Sequence, residues 1–295
     1  MKVFSGSSNY PLTEKVAKNL NLPLSKLEIH VFPDGEKRIR VIDRVVEEDC
    51  VVIQSTSTPA NENYMELFFI IDSLKRSGAG KITAVIPYLG YQRQDHIFRD
   101  GEAVSLEVVI ETLQSVGVSK IVTFDLHSIK IPELFKIPVL HISALPLFAK
   151  KIQKNNSILV SPDMGGIRRV KEISEILAGM PYAVIDKNRN LTTGKVEAVS
   201  LEGNVKGKNV VIVDDMISSG KTIVEASKLL LKRGAKKILV FATHAVFSKN
   251  SGEILENSPV EKVFVTDTID VPQNKRFPKL EIISVAEMIA KAIRR

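Results

Sequence analysis

Short β-rich runs alternate with amphipathic helical stretches along the whole chain, and this alternation restricts the fold more than any other feature. Amphipathic segments such as 105–116 and 222–233 lie between apolar runs that are typical of buried strands. Strands that alternate with helices build parallel sheets from βαβ units. We therefore predict an α/β protein with mainly parallel sheets. The predicted strands are 51–54, 82–86, 120–124, 157–160, 182–185, 210–213, 237–242 and 262–265.

Two parts of the chain repeat the same order of strand, helix, basic glycine turn and strand. In the first, an apolar run at 51–53 precedes KRSGAGKI at 75–82; in the second, a run at 210–213 precedes KRGAKKI at 232–238. Such short matches also arise by chance, but 295 residues exceed what one core usually serves. We predict two related domains, 1–143 and 144–281, with a C-terminal helix within 282–295 packed on the first.

Composition and the cysteine count argue against a disulfide-rich secreted protein and against a membrane protein. A hydrophobic content of 44% and a charged content of 25% are typical of a soluble globular chain. The single cysteine, Cys50, lies in an apolar run and indicates a buried residue in a reducing compartment. The first residues lack a signal peptide's apolar core, and no apolar run has membrane-spanning length. We expect a cytoplasmic protein with no membrane partner.

The net charge of +7 is compatible with nucleic-acid binding or with small anionic substrates. The basic residues are scattered, and aromatic residues make up only 6% of the chain. We therefore expect small anions as ligands and no nucleic acid.

The segment VVIVDDMISSGKTI, 210–223, ends like a phosphate-binding loop but begins with two carboxylates, Asp214 and Asp215. A P-loop needs glycine five positions before Gly220, where this chain has Asp215. Backbone N–H groups at a helix start suit a phosphate, and adjacent carboxylates accept hydrogen bonds from sugar hydroxyls. We predict a sugar-phosphate site, with an N-capping turn as the alternative. Its residues are Asp214, Asp215, Ser218, Ser219, Gly220, Lys221 and Thr222.

This motif resembles the phosphoribosyl-binding motif of type I phosphoribosyltransferases. Over essentially its whole length the chain resembles the ribose-phosphate pyrophosphokinases, most closely their archaeal branch. The resemblance implies two tandem phosphoribosyltransferase-like domains, the first lacking the sugar-phosphate loop. It also implies transfer of the diphosphoryl group of ATP to the C1 hydroxyl of ribose 5-phosphate, giving phosphoribosyl pyrophosphate and AMP.

The segment FPDGE at 32–36 is, from its residues alone, a tight turn. It is similar to the family's loop that binds ATP across a subunit interface. The resemblance implies a homodimer or a larger assembly of dimers. It also implies ATP binding by Phe32, Asp34, Gly35 and Glu36.

Two further polar segments follow predicted strands, Arg93-Gln94-Asp95 after 82–86 and Asp125-Leu126-His127 after 120–124. A surface turn and a structural histidine are the alternatives. The resemblance assigns Arg93, Gln94, Asp95 and His127 to Mg-ATP, with His127 as a metal ligand and Asp125 as its indirect partner. Arginine suits this role because its fork of donors matches phosphate oxygens.

The segment Asp163-Met164-Gly165-Gly166 follows the predicted strand 157–160. Glycines let the backbone approach a bulky anion, and the adjacent carboxylate suggests a metal; a plain turn is the alternative. The segment is similar to the family's pyrophosphate loop, with Asp163 beside a second Mg²⁺. The cofactor expectation is thus two Mg²⁺ ions, one arriving with ATP.

Lys187 and Arg189 follow the predicted strand 182–185 and lead into a segment of low apolar content. From the residues alone this is a mobile hairpin tip. The two cations match the family's catalytic flexible loop, although Asn188 stands where many members have another arginine. The resemblance implies that Lys187 and Arg189 are catalytic.

Three functions remain open at this point: the synthetase, a salvage phosphoribosyltransferase and a non-catalytic paralogue. The synthetase is favoured because segments typical of ATP binding occur together with segments typical of sugar-phosphate binding. In regulated relatives a basic run follows the Arg-Gln-Asp motif. Here 96–102, HIFRDGE, contains two acids, which predicts weak or absent activation by phosphate.

Overall fold

The computed structural model describes residues 1–97, 99–189 and 196–294; of 187–189 and 196–199 it describes only the backbone. The chain folds into two compact units. The first comprises Met1–Ile142, Thr268–Asp270 and Ser284–Arg295, and the second comprises Ser143–Asp267 and Val271–Ile283. Each unit has its own sheet and its own buried core.

The sheet of the first unit is parallel throughout, with strands in the order β1-β4-β5-β6-β7. The strands β2 and β3 form a separate antiparallel hairpin. The strands are β1 Lys2–Ser5, β2 Leu27–Val31, β3 Lys37–Val41, β4 Cys50–Ile53, β5 Ile82–Ile86, β6 Lys120–Phe124 and β7 Val139–Ile142. The helices are α1 Tyr10–Leu20, α2 Ala60–Arg76 and α3 Ser105–Val116.

The core of the first unit lies between this sheet and its helices, and every residue of β4 is buried. The Cys50 thiol is 1% exposed, and burial raises its pKa to about 11. The expected burial of the single cysteine is therefore confirmed, and this thiol is protonated at neutral pH.

The second unit has a larger sheet with the order β10-β9-β8-β11-β12-β13-β14. The pair β9–β10 is antiparallel, and the remaining neighbours are parallel. The strands are β8 Ser157–Ser161, β9 Tyr182–Arg189, β10 Val196–Glu202, β11 Asn209–Ile217, β12 Lys237–Ala245, β13 Lys262–Thr266 and β14 Leu280–Ile283. The helices are α4 Leu145–Ala149, α5 Ile167–Ile176, α6 Lys221–Lys232 and α7 Ser251–Glu256.

The two sheets share one plan. The order β1-β4-β5-β6-β7 of the first unit recurs as β8-β11-β12-β13-β14 in the second. In this correspondence β4 matches β11, and KRSGAGKI at the start of β5 matches KRGAKKI at the start of β12. The two similar segments thus occupy equivalent positions in the two sheets. The prediction of two mainly parallel sheets flanked by helices is confirmed.

The C-terminal helix, α8 Ala286–Ile293, belongs to the first unit and packs against α1. The guanidinium of Arg294 donates to the backbone oxygen of Asn19 at 2.7 Å. Across the described ranges, which omit 98, 190–195 and 295, no helix is both long and apolar enough to cross a membrane.

Candidate active site

The acid pair lies at the carboxyl end of β11, in the middle of the second sheet. The strand continues through both acids to Ile217, four residues beyond the predicted 210–213. The side chain of Asp215 is 5% exposed and that of Asp214 is 18% exposed. The Asp215 N–H donates to the Asp214 carboxylate at 2.9 Å, so backbone geometry orients this side chain.

Arg169, in the first turn of α5, faces both acids. Its guanidinium nitrogens lie 3.5 Å from Asp214 Oδ1 and 3.7 Å from Asp215 Oδ2. Arg169 itself is buried. Arg168, one position earlier, is exposed and pairs with Glu172 at 2.6 Å. The helix therefore directs one of two adjacent arginines into the site, and sequence analysis did not select Arg169.

The pKa of Asp214 is raised well above its ordinary value. The main cause is burial, which disfavours the charged form, and the adjacent Asp215 adds to it. Arg169 acts in the opposite direction but does not cancel these effects. Holding adjacent acids this close together lowers the stability of the folded protein, and such perturbed groups are typical of a binding site.

The residues 218–222 connect β11 to the start of α6. Gly220 is buried and left-handed, with φ +77°, and a Cβ there would lie 3.1 Å from Leu255. Ser218, Ser219 and Thr222 are partly exposed, and Lys221 is exposed. The turn thus presents hydroxyls, an ammonium and the N–H groups of a helix N-terminus beside the acid pair, an arrangement suited to phosphate.

The 161–166 loop follows β8, the neighbour of β11. The carboxylate of Asp163 accepts the Gly166 N–H at 3.1 Å, and the Ser161 hydroxyl donates to the Asp163 backbone oxygen at 2.6 Å. A Cβ on Gly166 would lie 2.6 Å from the Ser161 hydroxyl, so a larger residue would displace this side chain. Met164 and Gly165 are exposed at the tip. Asp163 lies near enough to raise the pKa of Asp214 further.

The backbone of Lys187 and that of Arg189 belong to β9. There Lys187 pairs with Val199 of β10, and Arg189 pairs with Val196. Their side chains, and residues 190–195, lie outside the described part of the chain. The catalytic role assigned to these two cations stays a prediction.

In the first unit, the segment 32–36 forms the turn of the β2–β3 hairpin. Gly35 is left-handed, with φ +91°, and the Glu36 N–H donates to the Asp34 carboxylate at 3.1 Å. Phe32 is 37% exposed, with its ring 4.7 Å from that of His30 and with the Arg38 guanidinium 5.7 Å from its centroid. An exposed phenyl ring of this kind offers a stacking surface.

The other two segments follow β5 and β6, which are neighbours in the first sheet. Arg93 and Gln94 are exposed, whereas the Asp95 carboxylate lies 2.6 Å from His96 Nδ1. His127 is exposed, and Asp125, buried just before it, has a strained φ of +28°. Because the carboxyl ends of parallel neighbours share an edge, both segments lie on the side of the sheet where ligands bind.

Across residues 1–97, 99–189 and 196–294, no three His, Cys, Asp or Glu side chains gather into a metal cluster. Mg²⁺ at phosphoryl-transfer sites is commonly held by one or two carboxylates, with substrate phosphates and water completing the sphere. The partly buried Asp163 carboxylate beside an anion-binding loop fits such a site. His127 is a less usual ligand for this hard cation.

Comparison with known proteins decides the family. The N-terminal domain of ribose phosphate pyrophosphokinase matches residues 1–117, and the phosphoribosyl synthetase-associated domain matches 156–295. A ribose-phosphate pyrophosphokinase of Aquifex aeolicus is 40% identical over 299 residues, covering 100% of this chain and 95% of that protein. The chain belongs to the ribose-phosphate pyrophosphokinase family.

Two further relatives agree with this assignment. The ribose-phosphate pyrophosphokinase of Thermotoga maritima is 41% identical over 302 residues, covering 100% of this chain and 94% of that protein. The crystal structure of phosphoribosylpyrophosphate synthetase from Mycobacterium smegmatis superposes with a TM-score of 0.93 at 35% identity, covering 99% of this chain and 97% of that one. The resemblance, the fold class and the enzyme class are therefore confirmed. The relatives named here are bacterial, so the archaeal character stays a prediction.

Each unit thus places its predicted pyrophosphokinase residues at or just beyond the carboxyl ends of its own strands, or in its hairpin turn. In the second unit the structure brings Asp163, the acid pair and the 218–222 turn to one edge. Arg169, Gln92 and Glu66 are among the buried polar residues that sequence analysis did not select. Only Arg169 carried a signal, because it stands beside Arg168 at the helix start that follows the glycines.

Proposed function

We propose that this chain transfers the diphosphoryl group of Mg-ATP to the C1 hydroxyl of ribose 5-phosphate, giving phosphoribosyl pyrophosphate and AMP. The observation that carries the proposal is the acid pair, faced by Arg169 and followed directly by the N-terminus of α6. Membership of the family supports it over the whole length of the chain.

Ribose 5-phosphate binds at the edge of the second sheet. Asp214 and Asp215 accept hydrogen bonds from two adjacent ribose hydroxyls, and Arg169 keeps the two carboxylates in place. The 5-phosphate lies against the 218–222 turn, where the helix N-terminus favours negative charge. The left-handed Gly220 lets this turn approach the phosphate closely.

ATP binds to the first unit. The Phe32 ring stacks on adenine, and Asp34, Gly35 and Glu36 contact the edge of the base or the ribose. Arg93 binds phosphate oxygens, with Gln94 and Asp95 nearby. The Asp95 carboxylate, which lies 2.6 Å from His96 Nδ1, belongs to the same ATP-binding segment.

The main physical difficulty is charge, because the two substrates together carry roughly six negative charges at neutral pH. Family membership indicates a divalent metal requirement. We assign it to two Mg²⁺ ions, held through His127 and Asp163 with substrate phosphates. When bound, Mg²⁺ neutralises phosphate charge and orients the transferring group. Arg93, Lys187 and Arg189 supply the remaining positive charge.

Transfer through a loose transition state depends on positioning and electrostatics more than on a strong base. Lys187 and Arg189 contribute to this electrostatic stabilisation as catalytic cations. The hairpin turn 32–36 binds ATP across a subunit interface, which implies a homodimer or a larger assembly of dimers. The cytoplasmic location expected from the sequence stays a prediction.

Assays with ATP and with phosphoribosyl pyrophosphate together distinguish the three functions considered from the sequence. The proposal requires AMP, formed from ATP only when ribose 5-phosphate and Mg²⁺ are both present. ADP would indicate ordinary kinase chemistry. Neither product would favour a non-catalytic paralogue. A salvage phosphoribosyltransferase would consume phosphoribosyl pyrophosphate and a base without ATP.

A further inference from the structure

The side chain of Gln92 connects two segments that the proposed function assigns to the nucleotide. Gln92 is 1% exposed and directly precedes Arg93. Its Oε1 accepts the backbone N–H of His127 at 2.9 Å, across 35 positions of sequence. The oxygen must face this N–H because only an oxygen of the amide accepts a hydrogen bond.

The His127 segment is held by three consecutive backbone N–H groups. Asp125 N–H donates to the Ile142 backbone oxygen at 3.0 Å, and Leu126 N–H donates to His141 Nε2 at 3.1 Å. The third, that of His127, donates to Gln92. The segment begins at the strained φ of Asp125, +28°, so it keeps this conformation only because its surroundings hold it.

The amide nitrogen of Gln92, unlike its oxygen, makes no hydrogen bond within the described residues. This nitrogen, Nε2, is buried. A buried unpaired amide lowers stability, as does a buried N–H that loses its acceptor. A glutamine at this position therefore contributes little net stability, and its contact with His127 calls for another explanation.

We propose that Gln92 is a positioning residue for nucleotide binding, which fixes the backbone of His127 relative to Arg93. This inference rests on the proposed role of Arg93 and His127 in binding Mg-ATP. Without the Oε1 contact, the His127 N–H loses the hydrogen bond that fixes its position, while Arg93 keeps its place. The two groups then meet the polyphosphate in the wrong relative geometry.

The test compares Gln92→Met with a matched control, Gln114→Met. Methionine keeps the volume of glutamine but neither accepts nor donates as an amide does. Gln114 makes the same kind of contact elsewhere in this unit, because its Oε1 accepts the Lys136 N–H at 2.5 Å. Calorimetry measures the Kd of Mg-ATP and of ribose 5-phosphate, kinetics measures both KM values, and a thermal melt measures Tm.

We expect Gln92→Met to weaken Mg-ATP binding by about tenfold, the usual scale for a lost positioning contact. Its ribose 5-phosphate Kd should stay within about twofold, and its Tm close to that of the wild type, because one unpaired buried N–H replaces another. Gln114→Met should leave both affinities unchanged. An unchanged Mg-ATP Kd in Gln92→Met, or an equal loss for both substrates, overturns the inference.

Gln92→Asn keeps an uncharged amide but is one methylene shorter, and it guards against a defect specific to the methionine variant. We expect it to weaken Mg-ATP binding by about tenfold as well, because its Oδ1 no longer reaches the His127 N–H. If Gln92→Asn binds Mg-ATP within about twofold of the wild type while Gln92→Met does not, the Oε1 contact does not carry the effect and the assignment is wrong. Failure of the wild type to bind Mg-ATP would instead refute the proposed function.

Discussion

The Lys37 ammonium lies 2.6 Å from the carboxylate of Glu66, which is completely buried in the middle of α2. Glu66 also accepts the Ser7 N–H at 2.7 Å, the Ser7 hydroxyl at 2.8 Å and the Gln54 amide at 3.0 Å. Lys37 is the first residue of β3, directly after the 32–36 turn. The ion pair therefore ties the base of the proposed nucleotide hairpin to the core of the first unit.

Replacing Lys37 with methionine should lower the free energy of unfolding by about 2 kcal/mol, because a buried carboxylate loses its cation. The estimate is below that for a fully buried pair, since the Lys37 side chain is 18% exposed. Urea unfolding followed by circular dichroism measures the change. Adding Glu66→Gln to this variant should recover at least half of the loss. Wild-type stability in the single variant would show that the pair is not stabilising.

Asp214→Asn should stabilise the ligand-free protein at neutral pH by about 1 kcal/mol while weakening ribose 5-phosphate binding by at least tenfold. The pKa of Asp214 is raised in the folded state, mainly by burial and then by Asp215. Its favourable contribution is therefore complete below the unfolded pKa, about 3.9. That contribution is lost as pH rises through the folded pKa.

Melting temperatures across a pH series check this prediction. The difference between Asp214→Asn and the wild type should be small near pH 4 and grow as pH increases. The surface carboxylate Glu172, whose side chain is 42% exposed, provides the control, because Glu172→Gln removes a charge without relieving burial. A difference that shrinks with rising pH would contradict the direction of the Asp214 shift.

Arg169→Met removes the cation that faces both acids and should cost about 3 kcal/mol of stability, because the buried Asp215 and the partly buried Asp214 both lose their facing charge. Ribose 5-phosphate affinity should fall by at least about tenfold. The adjacent Arg168→Met is the matched control, since that side chain is exposed and pairs only at the surface. It should stay within about 0.5 kcal/mol of the wild type. Equal effects of the two substitutions would remove Arg169 from the site.

Lys187→Ala should lower turnover by at least ~100-fold with little change in melting temperature, the scale of losing one preorganised charge-stabilising donor. Steady-state formation of AMP at saturating ATP and ribose 5-phosphate measures the effect. Near-normal turnover would exclude Lys187 from the mechanism.

Inorganic phosphate should activate the enzyme weakly or not at all. The run after Arg93 is poor in cations, and its Glu102 carboxylate accepts the Arg99 N–H at 3.0 Å within the same segment. Initial rates across a phosphate titration test the expectation, with ionic strength held constant by chloride. A strong, saturable increase in rate would refute it.

Sequence analysis located the interior strands of both sheets, because long apolar runs such as 210–213 and 237–242 indicate buried strands directly. It missed the edge strands β1, β7, β10 and β14 and the hairpin strands β2 and β3. Strands such as β3, β7 and β14 have no fully buried residue, and polar residues interrupt their apolar ones, so pairing with a neighbour rather than a continuous apolar run makes them strands. The site loops were predictable for a related reason, since polar segments that follow interior strands share the carboxyl edge.

The sequence by itself determined the α/β alternation, the duplicated plan and the order of acid pair, turn and helix. Each of these features can be recognised from residues that are close together in the sequence. Only the tertiary structure decided that Arg169 rather than Arg168 faces Asp214, that Gln92 holds His127, and that Lys37 meets Glu66. The last two contacts join residues 35 and 29 positions apart. Local patterns specify which backbone conformation a segment prefers, whereas contacts between distant side chains depend on how the folded elements pack and on which polar groups that packing buries together.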